Sequence, residues 1–263
     1  MLLNNVISVT VKQKCPNDTC YFFLQFRRII IILYVNGDSH TAAAEAVNPH
    51  AFAMDDGQLF YMGRAPHPEN FAVSWAKRLG DALRAGVHCG AESASSNTRI
   101  IRTTRNWLTN IRNLDEVLMV IQWSTWEREE WLIDGIYYQI GGSGIDDVPE
   151  EHKQRYKEFV VNVDWEEKTK RAHDDIWQLH TDLEGLGVNH IFFNGNNDFS
   201  SIKERKDWGS SYIDPYDPEG TYNARIRAKG IQTVMPDSWH FGKDGHSFWN
   251  RFMLQYINAN NKV

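Results

Sequence analysis

Apolar residues along the chain alternate between short uninterrupted runs and longer stretches with helical spacing. The β-branched run IIIILYVN at residues 29–36 predicts a strand that is buried on both faces of a sheet. The runs at 116–123 and 190–194 have the same character, and shorter ones near 87–91 and at 231–234 predict two further strands. Strands without polar alternation indicate a sheet that helices cover on both sides.

The stretches between these runs have the apolar spacing of amphipathic helices. Residues 71–86 repeat an apolar side chain at every fourth position and end in glycine. Further helices are predicted at about 97–112, 150–162, 166–186 and 245–257. The alternation of five strands with helices predicts an α/β fold, a three-layer α/β/α sandwich around a mostly parallel five-stranded sheet. Ligands bind such sheets at the carboxyl ends of the strands.

The first 28 residues do not continue this pattern. They are β-prone in places but have no helical period, so residues 1–28 are predicted to be an N-terminal extension of unknown role. Residues 29–263 contain no repeat and no linker, and we expect them to form one domain. Two stretches rich in Gly, Asp, Asn and Pro, at 141–149 and 195–222, predict loops long enough to cover a site.

Charge narrows the choice of partners. The 263 residues include 28 Lys and Arg against 34 Asp and Glu, and no long basic block occurs. Nucleic acid or an anionic membrane surface would require a basic footprint, so we expect neither and favour a small neutral polar substrate. The chain also lacks the features of a signal peptide and any stretch of about 20 apolar residues, which favours a cytoplasmic or virion-associated location.

The cysteines and histidines predict no metal site. The three cysteines lack paired CxxC spacing, and the histidines show no ligand spacing. Cys15 and Cys20 could close a small disulfide in an oxidising compartment or stay as free thiols, the alternative that the rest of the chain favours. No glycine loop of the kind that cradles phosphate is present, and we expect no cofactor.

The turn after the first predicted strand offers a candidate nucleophile. Gly37, Asp38, Ser39 and His40 follow the buried run directly, at the point where a helix can begin. A serine on such a turn exposes its hydroxyl, and its backbone N–H lies where an oxyanion is stabilised. The same residues also occur in turns that only cap a helix, so this motif alone leaves both interpretations open.

An acid and a histidine precede the last predicted helix. In MPDSWHFGKDGHSFW, residues 235–249, Asp237 stands three positions before His240. A carboxylate at this spacing can accept the Nδ1–H of the imidazole and leave Nε2 free to take a proton from a serine. Alternatively, Asp237 caps a turn and His240 is a surface residue.

Together these motifs resemble the GDSL or SGNH hydrolases. The resemblance covers about residues 29–258 and rests on Gly-Asp-Ser after the first strand and on Asp-x-x-His followed by Gly-His. It implies a flavodoxin-like fold, hydrolysis of esters such as acetylated sugars and lipids, and a triad of Ser39, Asp237 and His240. NGDSHTAAAEA and SWHFGKDGHSFW look particularly similar to uncharacterised members from bacteriophage and marine bacteria. Assembly into a virion or a homo-oligomer therefore stays open.

The resemblance also implies an oxyanion hole that begins with two backbone donors. The first is the N–H of Ser39. The second block of the family normally offers a glycine N–H, and here Ala94 falls on that glycine, with Gly90 as the alternative. Asn97 in the same block either adds a side-chain donor or caps the helix that follows.

The third block of the family normally supplies an asparagine amide to the oxyanion. Ser124 occupies that place in chain order, after the third strand, whereas Asn197 in GNND is a literal match that follows the fourth strand. Chain order favours Ser124, because the donor must lie beside the strand that carries the serine. A missing amide donor can cost about 10²–10³ in rate, so efficient esterase activity is in doubt.

Aromatic residues after the third strand predict a surface for a carbohydrate. Trp123, Trp126 and Trp131 could stack on a sugar ring, and Arg128 could bind a substrate oxygen. Alternatively, the aromatic rings are packed and the charge is solvated. Trp239, beside His240, belongs to the same candidate surface. Four other tryptophans fall in predicted helices and are expected in the core: Trp75, Trp107, Trp177 and Trp249.

These features favour a serine hydrolase that removes an acetyl or other short acyl group from a carbohydrate through an acyl-enzyme on Ser39. The alternative is a carbohydrate-binding or virion-structural module that has this fold and little or no esterase activity.

Overall fold

The computed structural model describes residues 32–53, 64–141 and 148–263. The N-terminal extension, the start of the first predicted strand, Cys15 and Cys20 lie outside these ranges. Cys89 is a free thiol, and burial raises its pKa to about 12.

The strands are β1 (Ile32–Asn36), β2 (Gly86–Cys89), β3 (Val117–Trp123), β4 (Glu129–Ile133), β5 (Ile136–Ile140) and β6 (Asn189–Asn194).

Four of these strands form a parallel sheet in the order β2-β1-β3-β6. Every residue of β3 is buried, as its uninterrupted apolar run predicts. The helices are α1 (Ser39–Ala42), α2 (Pro68–Ala72), α3 (Trp75–Leu83), α4 (Asn97–Leu108), α5 (Lys153–Val161), α6 (Trp165–Gly185), α7 (Tyr222–Ala228) and α8 (Lys243–Ala259).

Helices cover both faces of the sheet, because alternate side chains of each strand point to opposite sides. On one face Leu33 and Val35 pack with α3, α7 and α8. On the other face Tyr34 and Met119 pack with α4 and α6. The predicted α/β/α class is thereby confirmed. The four tryptophans expected in the core all pack in these two clusters: Trp75, Trp107, Trp177 and Trp249.

The edge of the sheet differs from the prediction. Residues 231–234 do not join it, and Thr233 forms only an isolated bridge with Phe241. Beside β6 the chain instead places residues 211–213, part of the segment predicted as loop: Ile213 N–H donates to Phe192 O at 2.9 Å. Since this position next to β6 is occupied, the short run at 231–234 has no parallel partner there.

The hairpin of β4 and β5 was not predicted. Asp134 and Gly135 have positive φ angles of 49° and 81°, the conformation of a tight two-residue hairpin turn. The Asp-Gly pair between two apolar stretches was therefore a usable signal.

The helix predicted at 71–86 is divided into α2 and α3, and the Ser74 side chain caps the second by accepting from Lys77 N–H.

None of the described helices combines the length and the apolar character that a bilayer crossing requires.

Candidate active site

Ser39 is the first residue of α1, at the carboxyl end of β1. It is 6% exposed, and within the described ranges neither its hydroxyl nor its backbone N–H makes a hydrogen bond. α1 has only four residues because Ala43 takes a left-handed conformation with φ 58°. The chain turns back here, and Ala44 N–H donates to Ser39 O at 2.9 Å. The residues after α1 are thus held beside Ser39.

Asp38 is an internal structural acid. It is 1% exposed, and its Oδ1 accepts from Gln122 Nε2 at 2.8 Å and from His40 N–H at 3.0 Å. Oδ2 accepts from Ser124 Oγ at 2.9 Å and from Arg128 Nη1 at 3.1 Å. Burial alone would raise the pKa of Asp38, but the neighbouring His40 and Arg128 and these hydrogen bonds hold it below its usual value. The carboxylate is therefore ionised, and both of its oxygens are engaged.

His240 is held by Glu45. Its Nδ1 lies 2.9 Å from Glu45 Oε2, and Ser238 Oγ donates to the same carboxylate oxygen at 2.8 Å. Ser238 Oγ also accepts from His240 N–H at 2.9 Å, so the three residues form a closed ring of hydrogen bonds. Burial acts to raise the pKa of Glu45, but the bonds from His240 and Ser238 lower it below its usual value. An ionised Glu45 makes Nδ1 the protonated nitrogen of His240.

The structure does not bring Asp237 to His240. Asp237 is exposed, and no hydrogen bond or ion pair joins it to another residue in the described part of the chain. The acid at Nδ1 is Glu45, which lies six positions after Ser39. The expected Asp237–His240 contact is therefore replaced by one between two distant segments, and Asp237 as a triad residue remains a prediction from the resemblance alone.

His240 lies beside the Ser39 turn without a hydrogen bond to Ser39. Its ring is 5.6 Å from the ring of His40, the residue that follows Ser39, and the two rings are nearly perpendicular. Burial lowers the pKa of His40 to about 4, so this histidine is neutral. Nε2 of His40 contacts the side-chain amides of Asn196 at 3.4 Å and Asn223 at 3.3 Å.

The loop after β2 presents Ala94 in the position expected of a backbone donor. Ala94 has φ 67°, is exposed, and its N–H donates to no residue in the described ranges. Gly90 N–H, in contrast, donates to Val35 O at 2.8 Å, so this alternative donor is occupied. Glu92 N–H donates to Gly37 O at 3.3 Å and ties the loop to the Ser39 turn.

Arg99 fixes this loop from α4. Its Nη2 lies 2.5 Å from Glu92 Oε2, and its Nη1 donates to Gly90 O at 3.1 Å and to Ser95 Oγ at 3.2 Å. Both members of the ion pair are buried, and removal of one would leave the other without this charged partner. The role of Arg99 is therefore to hold the backbone of this loop.

Ser124 does not have the expected role of oxyanion donor. It is 1% exposed, it gives its one hydroxyl proton to Asp38, and it accepts from Arg128 Nη1 at 2.9 Å. Asn97 holds the same residue through its backbone: Asn97 Nδ2 donates to Ser124 O at 3.2 Å, and Ser124 N–H donates to Asn97 Oδ1 at 2.8 Å. The N-cap of α4 is Ser96, so Asn97 connects α4 to the end of β3 instead of capping the helix.

The alternative third-block residue, Asn197, also has a structural contact. Its Oδ1 accepts from Trp126 N–H at 3.3 Å. Among the described residues, the amide of this loop that reaches the Ser39 turn belongs to Asn196, through His40. Among the candidate oxyanion donors in the described residues, the backbone N–H groups of Ser39 and Ala94 are the ones that make no hydrogen bond, and their role remains a prediction.

Three of the candidate sugar-stacking residues are packed inside. Trp123 is fully buried, and Trp126 and Trp131 are each 4% exposed. Trp126 stacks on Phe199 with 4.8 Å between ring centroids. The expected platform at the end of β3 is therefore wrong for Trp123 and is not available as a free surface for the other two. Trp239, in contrast, is 66% exposed beside His240.

Arg128 keeps one accessible side. Its guanidinium is bonded to Asp38 and Ser124, yet the side chain is 23% exposed. It lines a cavity of about 310 Å³, together with Asn97 and Trp126. Contact of these residues with a substrate remains a prediction.

Three potential metal ligands meet away from this site. His180, Glu184 and His190 offer ligand atoms that lie within 4.8 Å of one another. This group is not apparent from the sequence, because its residues come from both α6 and β6. The roles of Glu45, Gln122 and Asn196 are not apparent either, since no local spacing connects them with the residues that they contact.

Comparisons with known proteins identify a family without an assigned activity. No curated protein matches the chain. Among solved structures, the chain is similar to a protein of the G-D-S-L lipolytic family from Desulfitobacterium hafniense, with 12% identity, coverage of 86% of this chain and 98% of that one, and a TM-score of 0.44. An acetyl xylan esterase from Butyrivibrio proteoclasticus has 12% identity, with 89% of this chain and 65% of that chain covered and a TM-score of 0.46. A psychrotrophic esterase from Pseudoalteromonas sp. has 10% identity, with 87% of this chain and 97% of that chain covered and a TM-score of 0.45.

These identities and scores do not transfer an activity to this chain. A sequence profile described as a family of unknown function, DUF6071, matches residues 66–226. The matched region begins just before α2 and ends within α7. It includes Ala94 and Ser124 but neither Ser39 nor His240. Because the match covers more than half of the chain, the protein belongs to the DUF6071 family of unknown function.

Proposed function

We propose that the protein hydrolyses carboxylic esters, with Ser39 as nucleophile, His240 as general base and Glu45 as the acid that orients His240. The observation that carries this proposal is the 2.9 Å contact between His240 Nδ1 and Glu45 Oε2. A histidine whose Nδ1–H is bonded to a carboxylate has its Nε2 lone pair available for a proton. Glu45 follows the Ser39 turn closely and so holds this imidazole beside that turn, where its ring lies 5.6 Å from the ring of His40. The Ser39 hydroxyl makes no hydrogen bond with any described residue.

In the proposed reaction Ser39 Oγ attacks the carbonyl carbon of the ester. The hydroxyl proton passes to His240 Nε2, and the carbonyl oxygen becomes an oxyanion that accepts from the N–H groups of Ser39 and Ala94. Collapse of this intermediate breaks the bond to the alcohol, which leaves with the proton from His240. Water then attacks acyl-Ser39, again with His240 as base, and the carboxylic acid and free serine are formed.

The proposed substrate is an acetyl or similarly short acyl ester of a carbohydrate. Support comes from Trp239, which precedes His240 in the chain and is 66% exposed, so a sugar ring could stack on its indole. A Trp239→Ala variant should raise KM for an acetylated oligosaccharide several-fold and leave KM for p-nitrophenyl acetate nearly unchanged. Equal effects on both substrates would contradict a role for this side chain in sugar binding.

The proposal is tested by hydrolysis of p-nitrophenyl acetate and by labelling with a fluorophosphonate probe. The wild-type protein should turn over the ester and carry the label on Ser39, identified by peptide mass spectrometry. Ser39→Ala should abolish both, while far-UV circular dichroism shows an unchanged fold. Absence of both signals in the folded wild-type protein would reject the esterase.

One observation favours the second candidate, a binding or virion-structural module. Ser124 gives its proton to Asp38, so the residue that chain order favours does not supply the third donor. Loss of one such donor costs about 10²–10³ in rate. A folded protein that retains acetylated oligosaccharides on an affinity column but neither hydrolyses them nor reacts with the probe would have this second function.

A further inference from the structure

A buried histidine pair lies at the amino end of β6. His180 on α6 and His190 on β6 are 7% and 1% exposed, and Nδ1 of His180 is 2.8 Å from Nε2 of His190. Glu184, one helical turn after His180, brings a carboxylate oxygen within 4.8 Å of both rings. Gly195 lies at the carboxyl edge of the sheet, and roughly 16 Å of extended chain separates it from His190. The group is therefore separate from the Ser39 turn.

The hydrogen bonds of the pair leave a ring nitrogen with the lone pair that a cation requires. Nδ1 of His190 lies 2.9 Å from Val188 O, which can only accept, so the proton of this ring is on Nδ1. Nε2 of His190 consequently presents a lone pair to His180. A backbone carbonyl on the distal nitrogen is the contact that commonly orients a metal-binding histidine.

We propose that His180, Glu184 and His190 bind one zinc-class divalent cation. Two imidazoles and one carboxylate, with water in the fourth position, are a donor set that Zn²⁺ accepts. Without the cation, the proton on His180 Nδ1 joins the two rings. On binding, Nδ1 releases that proton and Nε2 of the same ring takes one from solvent, so the protonation of the pair does not change overall.

The geometry requires a small adjustment. With Zn–N bonds of about 2.0–2.1 Å, two tetrahedral ligand nitrogens lie roughly 0.5 Å further apart than the present pair. The carboxylate comes from the exposed Glu184, whose side chain is 58% exposed, so solvent reaches the group from that side. A cation here would cross-link α6 and β6, which are otherwise joined through apolar packing.

Lys262 is the opposing charge in this region. Its Nζ donates to Ser211 Oγ at 3.1 Å, and Ser211 Oγ lies 3.5 Å from Glu184 Oε1. Since the positive charge of Lys262 would repel a cation bound at Glu184, Lys262→Met should tighten binding, an effect that a purely structural histidine pair would not produce.

The test uses the full chain without an affinity tag, stripped of metal with a chelator and titrated with Zn²⁺ against a chromophoric competitor. The wild type should bind one Zn²⁺ per chain, and Zn²⁺ should raise its Tm by several degrees. His190→Ala should weaken binding at least about 100-fold, since even loss of an outer partner costs 10–100-fold. His173→Ala is the matched control, because this buried histidine of the same helix contacts Tyr216 instead.

A second variant protects the test against misfolding. Glu184→Gln changes an exposed side chain and should fold normally, yet weaken Zn²⁺ binding about 10-fold or more. Cobalt(II) should give the visible absorption of a tetrahedral site in the wild type and in His173→Ala, and lose it in His190→Ala. Failure of the folded wild type to bind Zn²⁺, or equal affinity in the wild type and Glu184→Gln, would overturn the proposal.

Discussion

Asp38 and Glu45 are two carboxylates on either side of α1 that have different surroundings. Asp38 is 1% exposed and bonded through both oxygens to fixed groups on β3 and the segment after it, including Ser124 and Arg128. The Glu45 side chain is 28% exposed and is bonded to the segment that carries His240. The first acid connects the Ser39 turn to the sheet, whereas the second connects it to the proposed base.

The difference shows that a carboxylate next to a candidate nucleophile is not thereby catalytic. Asp38 is adjacent to Ser39 in the chain, yet its carboxylate oxygens are already occupied by the ion pair with Arg128 and the hydrogen bond from Gln122 Nε2. Glu45 has fewer partners, and one of them is an imidazole. Variants of the two acids should therefore affect different quantities: stability in one case and rate in the other.

The largest expected effect on stability comes from Asp38→Asn. Arg128 and Ser124 would lose their charged partner inside the protein, and breaking a buried pair costs roughly 3–5 kcal/mol, with the lower figure applicable because Arg128 is 23% exposed. Urea unfolding should report this loss. Glu45→Gln and Asp237→Asn are controls that should each change the free energy of unfolding by less than about 1 kcal/mol. If Asp38→Asn unfolds at the wild-type urea concentration, the structural role of Asp38 is refuted.

The histidines near Asp38 add a pH dependence that the carboxylates do not share. Burial lowers the pKa of His40 to about 4 and that of His246 to about 3, whereas an unfolded histidine titrates near about 6.5. Since the folded state binds fewer protons, their contribution to stability is complete above about pH 6.5 and is lost as the pH falls. Each histidine contributes up to about 1.4 kcal/mol per pH unit in that window. The lowered pKa values of Asp38 and Glu45 keep both ionised at pH 5.

Urea unfolding at pH 7, 6 and 5 checks this expectation. His246→Gln removes a titrating imidazole and should lower the slope by up to about 1.4 kcal/mol per pH unit. The glutamine can still accept from Trp75 N–H, as His246 Nδ1 does at 3.3 Å. An identical slope in the variant and the wild type would show that folding does not lower the pKa of His246.

The smallest effect concerns the loop that faces the Ser39 turn. Ala94 has φ 67°, a conformation that costs a residue with a Cβ about 1–2 kcal/mol. Ala94→Gly removes this strain at the expense of a more flexible unfolded chain, so a net gain of about 0.5–1 kcal/mol is expected. Esterase activity should be retained, because the proposed donor is the backbone N–H. Ala94→Val serves as the opposite change and should lower both stability and activity.

The fold was predictable because its elements depend on local pattern. The uninterrupted β-branched run of β3 and the four-residue spacing of α3 each report burial without reference to the rest of the chain. The strand predicted at 231–234 was not formed because an edge position depends on competition, and residues 211–213 occupy the place beside β6. The hairpin of β4 and β5 was signalled by Asp134 and Gly135, a cue that was not used.

The candidate site was predictable only in part, for a physical reason. Ser39 was predicted from the turn after the first strand, and turn geometry is local. Ala94 was predicted from the resemblance to the second block of the family. The partner of His240 is 195 residues away in sequence, so the three-residue spacing of Asp237 could not reveal it. Ser124 was expected as a donor from chain order, but hydrogen-bond capacity decides, and its single proton is given to Asp38.

The central claim is that Glu45 orients His240, and one comparison tests it most directly. The kcat/KM for p-nitrophenyl acetate is measured for Glu45→Gln and for Asp237→Asn, each next to the wild type. Loss of the orienting carboxylate in related chemistry costs up to about 10⁴ in kcat, so Glu45→Gln should fall by about 10²–10⁴ while Asp237→Asn stays within about threefold of the wild type. A large loss in Asp237→Asn together with near-normal activity in Glu45→Gln would contradict this account and would return the role to Asp237.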